Sequence, residues 1–252
     1  MILINNVKLS LDTDFQNLKT EVEKVLNIKT EKVSLFKKSV DARRKENVHF
    51  CCSVLVESKN EQALLKKLKN ATLYINNEYE WKKAEIIPQN PPVVVGFGPC
   101  GMFCALALAR AGLKPVVIER GKDADSRKRD VDEFLSGGKL NTESNVQFGE
   151  GGAGTFSDGK LTTGIKDPLC RHCLNELVKH GAPEDILYNA KPHIGTDKLK
   201  DVVKNIRKEV ISLGGEILFG AKLTDIIVFN GVIQVFADFH CHNLANTLNI
   251  SA

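Results

Sequence analysis

The sequence predicts an α/β fold in which a Rossmann-like βαβ unit follows a small α+β domain of ferredoxin-like topology. Strand-like and helix-like segments alternate as β-α-β-β-α-β over residues 1–87. The proline-rich run Pro88–Pro92 then interrupts any regular element. After it, a short apolar strand runs directly into a glycine-rich turn. We therefore expect a domain boundary at residue 88.

The elements of the first domain follow from apolar periodicity. Residues 14–26 place Phe15, Leu18, Val22 and Val25 on one face of a helix. Helices are expected at Asp14–Leu26 and Asn60–Lys69, and strands at Ile2–Leu11, Lys32–Val40, Val48–Glu57 and Glu80–Ile87. The second domain is expected over residues 89–236, where it also begins a substrate-domain insertion, and residues 237–252 form an atypical tail.

The composition is that of a globular protein, with 42% apolar and 26% charged residues among 252. No apolar run approaches the roughly 20 residues of a membrane-spanning helix. The N-terminus lacks the pattern of a signal peptide, and the seven cysteines are odd in number and irregularly spaced. These features predict a cytoplasmic protein with reduced thiols and no membrane span.

The net charge of +4 arises in the first 90 residues, which hold 16 Lys and Arg against 12 Asp and Glu. Basic residues do not alternate with aromatic ones in a nucleic-acid-binding pattern, so no nucleic-acid partner is expected.

The segment Val93–Glu119 has each part of a dinucleotide-binding βαβ unit in order. Gly96 permits the tight turn after the first strand, Gly98 lets a pyrophosphate approach the backbone, and Gly101 lets the helix pack closely on the sheet. The helix N-terminus attracts phosphate groups. Glu119 ends the second strand 23 positions after Gly96, near the spacing of an acid that accepts from a ribose hydroxyl. A structural βα turn is the alternative interpretation.

Two dinucleotide types remain open at this point. Arg120 follows Glu119 and could meet the 2′-phosphate of NADP. A NAD(P) domain, however, should continue with further βα units, whereas Gly121–Glu133 is polar and is followed by a glycine-rich loop. This loop, Asn145–Lys160, includes Phe148 and Phe156 and predicts a close contact with a cofactor, the alternative being a flexible surface loop.

These segments together resemble the bacterial FAD-dependent dehydrogenases of the glutathione-reductase-type superfamily. The resemblance is carried by Gly96–Gly101, Val117–Gly121 and above all Asn145–Thr163, and further by Lys38–Arg43, Gly181–Glu184 and Lys191–Asp197. It covers roughly residues 1–235.

The resemblance implies FAD as the cofactor, with NAD(P)H as a possible electron donor and an unidentified small molecule as the substrate. It implies that the turn glycines hold the pyrophosphate, that Glu119 holds the adenosine ribose, and that the strand at Gly220–Leu223 passes the adenine. It also places the loop from Gly151 to Lys160 along the FAD toward the flavin. The implied cofactor-binding residues are Gly96, Gly98, Pro99, Gly101, Glu119, Arg120, Gly151, Gly152, Gly154, Thr155, Ser157, Asp158, Gly159, Lys160, Ala221, Lys222 and Leu223. Leu199–Leu213 is expected as a helix, and Glu216–Lys222 and Asp225–Phe236 as strands.

Family members are considerably longer, and the strand that closes their FAD domain has no counterpart here. The amino-acid sequence after Phe236 does not resemble the family, so the resemblance predicts a C-terminally truncated member with an incomplete Rossmann-like fold.

No catalytic residue can be assigned, and Lys160 and His193 are the first polar candidates to test. Cys170 and Cys173 have redox or metal spacing, but a structural role is favoured, as it is for the tail residues His240, Cys241 and His242. No metal site is predicted. The function expected is that of an FAD-dependent oxidoreductase or its FAD-binding N-terminal half. The alternatives are an inactive fragment that serves as an interaction module and a flavin-free NAD(P)-binding reductase.

Overall fold

The structure is a computed structural model that describes residues 1–76, 79–165, 167–229, 232–239 and 250–251. The chain forms two compact units. The N-terminal unit comprises residues 1–79, 160–178 and 183–193, and the nucleotide unit comprises residues 80–159, 179–182 and 194–252. The division at residues 88 and 236 stays a prediction, since the structure groups two later segments with the first residues.

The N-terminal unit contains a four-stranded antiparallel sheet with two helices. Its strands are β1 (Ile2–Leu9), β2 (Lys32–Asp41), β3 (His49–Glu57) and β4 (Ala71–Leu73), in the order β2-β3-β1-β4. The helices are α1 (Leu18–Leu26), which follows a short 3-10 helix at Phe15–Asn17, and α2 (Glu61–Lys67). The element order β-α-β-β-α-β agrees with the prediction.

The core of this unit lies between the sheet and the helices. In β1, Ile2 and Ile4 are buried, and so are Val7 and Leu9. These positions change from even to odd numbers because a bulge interrupts the register between Ile4 and Val7, where Asn6 has a φ of 55°. The bulge keeps all four apolar side chains on the helix-covered face. Val22 of α1 packs on that face without exposure.

The strand predicted at Glu80–Ile87 is wrong. The edge of β1 is paired instead by β4, which follows α2 after a short turn. Residues 80–87 form no strand, and the Ala84 N–H donates to the carbonyl of Ala111 in the nucleotide unit at 3.0 Å. The nearer segment reaches the sheet edge with a shorter loop, which leaves residues 80–87 without a ladder to join.

Later segments of the N-terminal unit cover the edge of β2. Helix α5 (Pro168–Lys179) belongs to this unit except for its last residue, and a 3-10 helix follows at Glu184–Leu187. The Lys38 N–H donates to the Tyr188 carbonyl at 2.6 Å, and the Ala190 N–H donates to the Lys38 carbonyl at 2.9 Å. This pairing satisfies part of an edge strand that would otherwise be open.

The nucleotide unit contains a three-stranded parallel sheet. Its strands are β5 (Val93–Val95), β6 (Val116–Glu119) and β7 (Glu216–Phe219), with β6 in the centre. Helix α3 (Pro99–Arg110) joins β5 to β6, α4 (Ala124–Leu135) follows β6, and α6 (Thr196–Ser212) leads into β7 and packs on α3. Parallel strands joined by a helix are the arrangement that the glycine motif predicts.

The strand predicted at Asp225–Phe236 is also wrong. The structure has two antiparallel strands here, β8 (Ala221–Phe229) and β9 (Val232–Phe239), in which Phe229 pairs with Val232. A two-residue segment, β10 (Ile250–Ser251), pairs with β9. The strand predicted at Glu216–Lys222 is divided between β7 and β8 at Gly220, whose φ is 69°. No helix within the described residues has the length and apolar character needed to cross a lipid bilayer.

Candidate functional site

A cavity of about 340 Å³ opens where β5 and β6 end, in the nucleotide unit. This is the edge of a parallel sheet at which ligands of α/β proteins bind. Its lining residues come from four segments of the chain, and they are Val95, Gly96, Gly98, Ile118, Glu119, Arg120, Gln147, Phe148, Gly149, Gly152, Ala221, Lys222 and Leu223.

The turn between β5 and α3 depends on two glycines. Gly96 has a φ of 88°, in the left-handed region, and its N–H donates to the Ile118 carbonyl at 2.7 Å. A Cβ at Gly101 would overlap the carbonyl oxygen of Gly96. The first turn of α3 can therefore lie against the turn only if position 101 has no side chain.

Gly98 differs from Gly101 because it faces open space. It is the N-cap of α3, and the nearest atom to a Cβ built there is the Gly152 Cα at 3.9 Å. Pro99 begins the helix, where its missing N–H costs nothing. The N–H groups of the first turn have no partner within the helix, so this end of α3 favours an anion. The space beside Gly98 is a cradle that a side chain would fill.

Glu119 lies in the floor of the cavity and is 5% exposed. One carboxylate oxygen accepts from the Phe97 N–H at 2.7 Å and the other from the Gly121 N–H at 2.8 Å. The carboxylate thus links the glycine turn to the end of β6. An ionised carboxylate has about four lone-pair sites, so two protein donors leave capacity for a further hydroxyl donor.

Two cations of the cavity wall, Arg120 and Lys222, share the carboxylate of Glu143, which does not itself line the cavity. The Arg120 Nη2 donates to Glu143 at 2.6 Å, and its guanidinium carbon lies 3.9 Å from the ring centroid of Phe148. The Lys222 Nζ reaches the other Glu143 oxygen at 3.4 Å. Partial burial opposes the ionisation of Glu143, but the hydrogen bond and charge of Arg120, with Lys222, lower its pKa. These three side chains together carry one net positive charge, and the Glu119 carboxylate in the cavity floor offsets it.

The second glycine-rich segment packs directly on the first. The Gly151 N–H donates to the Phe97 carbonyl at 2.8 Å, and a short 3-10 helix at Gly152–Phe156 begins there. A Cβ at Gly152 would lie 3.2 Å from the Pro99 Cδ and 3.4 Å from the Gly98 Cα. The two glycine-rich segments that the sequence analysis predicted as binding elements thus form adjoining walls of one cavity.

Arg127 of α4 holds this loop in place from behind. It is fully buried, and burial lowers the pKa of its guanidinium to about 10, which leaves it charged at neutral pH. Its donors reach five oxygens of the loop at 2.7 to 2.9 Å: the carbonyls of Asn145, Val146, Glu150 and Gly152, and the hydroxyl of Thr155. One planar cation therefore fixes the path of residues 145–155.

Glu150 is a second buried charge at the base of the loop. Its Oε2 accepts from the Ala124 N–H at 2.7 Å and lies 3.2 Å from the Arg207 Nη1. Burial raises its pKa even though these contacts favour the ionised form. Its Oε1 has no hydrogen-bond partner among the described residues. Glu150 does not line the cavity, so it serves to join α4 and α6 to the loop.

The structure brings about half of the predicted binding residues to the cavity wall. Those lining it are Gly96, Gly98, Glu119, Arg120, Gly152, Ala221, Lys222 and Leu223. Gly101, Gly151 and Thr155 lie behind the wall as packing positions. The remaining positions, which are Pro99, Gly154, Ser157, Asp158 and Gly159, do not line it either.

Lys160 and His193 lie in the other unit. They are both exposed and form an isolated antiparallel bridge with each other.

The loop predicted to contact the cofactor, Asn145–Lys160, contains the lining residues Gln147, Phe148 and Gly149, but the individual binding residues predicted did not include them, and Arg127 was missed as the anchor of the loop. The first three belong to the glycine-rich segment that was recognised, so a wider range around Gly151 would have included them. For Arg127 the sequence offers no local signal, since its acceptors are mostly backbone carbonyls 18 to 28 positions away.

The cysteine pairs show no sign of activation. Cys170 and Cys173 are both free, and burial raises the pKa of Cys173. Cys100 and Cys104 are exposed on α3 and are also free. No group of three or more metal-ligating side chains occurs within the described residues. The tail residues His240, Cys241 and His242 lie outside those residues.

Two sequence comparisons bear on the chain. Residues 1–57 match a family described as a domain of unknown function, DUF8436. An uncharacterized protein of Clostridium beijerinckii is 48% identical over 242 residues, which cover 92% of this chain and 45% of the relative. The chain thus spans less than half the length of this curated relative.

Solved structures similar to the chain include three with low sequence identity. THI4 of Thermovibrio ammonificans has 14% identity and a TM-score of 0.39, over 65% of this chain and 54% of that chain. The 3-ketosteroid-Δ4-(5α)-dehydrogenase of Rhodococcus jostii RHA1 has 14% identity and a TM-score of 0.40, over 70% and 45%. A flavoprotein/dehydrogenase of Cytophaga hutchinsonii has 16% identity and a TM-score of 0.35, over 65% and 37%. These TM-scores are low, and the choice of ligand rests on the cavity's own residues.

Proposed function

We propose that the chain binds the adenosine diphosphate part of FAD in the cavity of the nucleotide unit, as the FAD-binding half of an oxidoreductase. The observation that carries this proposal is the open space at Gly98, where two glycine-rich backbones meet at the N-terminus of α3 above a buried carboxylate. The pyrophosphate requires a helix N-terminus with no side chain in the way, and the ribose requires a carboxylate that accepts from its hydroxyl groups.

The donors and charges of the cavity fit the group. The first turn of α3 and the backbone at Gly98 and Gly152 would hold the pyrophosphate, which carries negative charge. Arg120 and Lys222 place two cations at the cavity wall, and the carboxylates of Glu143 and Glu119 balance them, so attraction of the anion rests on the backbone donors at the start of α3. The ribose hydroxyls would donate to Glu119, and the adenine would lie along Ala221–Leu223 at the start of β8.

Bound FAD supplies electron and hydride transfer, and the protein supplies binding and orientation. The loop at Gly151–Gly159 is proposed to continue along the cofactor toward the flavin. We propose a small molecule as the substrate and NAD(P)H as a candidate electron donor.

The test is a titration of the purified chain with FAD, followed by flavin absorbance and calorimetry. We expect one FAD per chain and binding at least tenfold weaker in the variant Gly98→Ala. The added methyl group has 3.9 Å to its nearest protein atom, and the φ of −75° suits alanine, so this variant should unfold within about 2 °C of the wild type.

Other outcomes would contradict the proposal. If the folded chain takes up no FAD, the interaction-module hypothesis replaces it. If NAD or NADP binds in the absence of FAD while FAD does not, the flavin-free reductase replaces it. If Gly98→Ala binds FAD as tightly as the wild type, the pyrophosphate does not lie at α3.

A further inference from the structure

A second cavity, of about 370 Å³, lies in the N-terminal unit. It forms where residues 189–191 pair with the edge of β2, through the hydrogen bonds of Lys38 with Tyr188 and Ala190. Its wall includes Lys38, Val40 and Phe50 from the sheet. Lys191 completes it from the later segment. All of these residues belong to the same unit.

The ammonium group of Lys38 is held in place by three aromatic rings. Its Nζ lies 4.9 Å from the ring centroid of Phe15, 5.4 Å from that of Tyr188 and 5.7 Å from that of Phe50. Ring faces attract a cation and fix its position, but they carry no net charge and do not neutralise it. Lys38 therefore presents a positioned positive charge at the cavity wall.

No carboxylate forms an ion pair with Lys38 in the part of the chain that the structure describes. Asp41 pairs with Arg43 at 2.6 Å, and Asp185 accepts from the Asn189 side chain at 2.9 Å. Asp185 and Glu184 are near enough to Tyr188 to act, after burial, in raising the pKa of its phenol, but neither lines the cavity. Lys191 makes no described salt bridge either. Two cations thus line one cavity whose wall contains no carboxylate, and this arrangement attracts a negatively charged ligand.

The rest of the wall determines which anion fits. Val40, Phe50 and Ala190 are apolar, whereas Ser39 and Asn189 are polar and donate to the Cys51 carbonyl and to Asp185. No arginine and no helix N-terminus is among the residues that line the cavity. Phosphate sites rely on the paired N–H donors of an arginine guanidinium group or on runs of backbone N–H groups. A carboxylate needs fewer donors, and its hydrocarbon part can cover Val40 and Phe50. We propose that this cavity binds a small organic carboxylate with an apolar or aromatic body, with its carboxylate between Lys38 and Lys191.

This site is independent of FAD, because none of its residues lines the cavity of the nucleotide unit. Its failure therefore leaves the proposed function untouched, and failure of FAD binding leaves this site untouched.

The test is an NMR titration of the isotope-labelled full chain with benzoate, and with benzamide as an uncharged molecule of similar shape. We expect benzoate to shift the amide signals of residues 38–40 and 189–191, and benzamide to bind at least tenfold more weakly. Lys38→Met and Lys191→Met should each weaken benzoate binding at least fivefold. Lys37→Met removes the same charge from an exposed neighbour on β2 that does not line the cavity, and it should change nothing.

Three results would overturn this inference. Benzoate could fail to shift those signals, or inorganic phosphate could bind more tightly than benzoate at the same residues. Alternatively, Lys38→Met and Lys191→Met could bind benzoate like the wild type, which would mean that the contact of Lys38 with the three aromatic rings only stabilises the fold. Since Lys191 is exposed, its variant keeps the test valid even if Lys38→Met lowers the melting temperature.

Discussion

Gly101→Ala should destabilise the nucleotide unit by about 3 kcal/mol and abolish FAD binding. The added Cβ overlaps the Gly96 carbonyl oxygen, a backbone atom that cannot rotate away as a side chain could. Relief requires α3 to move away from the turn, although the helix also packs on α6. Urea unfolding followed by circular dichroism measures the change.

Gly98→Ala provides the matched control, because it adds the same methyl group three positions earlier in open space. The two variants should separate stability from binding: Gly101→Ala loses both, and Gly98→Ala loses binding alone. Equal stability of the two variants would mean that the close approach of α3 to Gly96 is not a constraint on the fold.

Arg127→Met should destabilise the same unit by about 4 kcal/mol. The methionine side chain retains much of the apolar stem but provides no donors. Four loop carbonyls and the Thr155 hydroxyl then lose a charged partner inside the protein. We expect residues 145–156 to become the first site of limited proteolysis, and FAD affinity to fall because Gly152 loses its fixed position.

Arg129→Met on the same helix is the control. Arg129 is exposed and, within the residues that the structure describes, donates only to the Ser126 hydroxyl, so its replacement should change stability by less than about 0.5 kcal/mol. If Arg127→Met is no less stable than Arg129→Met, the loop is held by its own backbone and not by the buried guanidinium.

Much of both units could be predicted from local patterns. The β-α-β-β-α-β order of the first unit follows from periodicity, because one face of each element is buried against the same core. The strand, turn and helix at Val93–Arg110 follow from three glycines whose spacing reflects backbone contacts. Such features are local, since each residue's neighbours in sequence are also its neighbours in space.

The sequence predicted less well where a choice among distant partners decides the structure. Residues 80–87 have a sequence typical of a β-strand, but Ala71–Leu73 lies closer to the free edge of β1 and pairs there. The prediction combined β8 and β9 into one strand because their apolar pattern is continuous. The sequence between them, Asn-Gly, is nevertheless typical of a two-residue hairpin turn.

The charged residues around the cavity illustrate the same limit. Arg127 stands in a polar stretch that suggests a solvated helix, yet it is fully buried. Glu143 meets Arg120 across 23 positions and Lys222 across 79. A buried charge is tolerated only when folding supplies its partners, and no local pattern shows where those partners are.

The location of the dinucleotide can be measured most directly by hydrogen–deuterium exchange of the full chain with and without FAD. Binding in the proposed cavity should slow exchange at the backbone amides of residues 96–101, 147–152 and 221–223, and leave residues 49–57 of the first sheet unchanged. FAD that binds while these three segments exchange at their original rates would contradict the site.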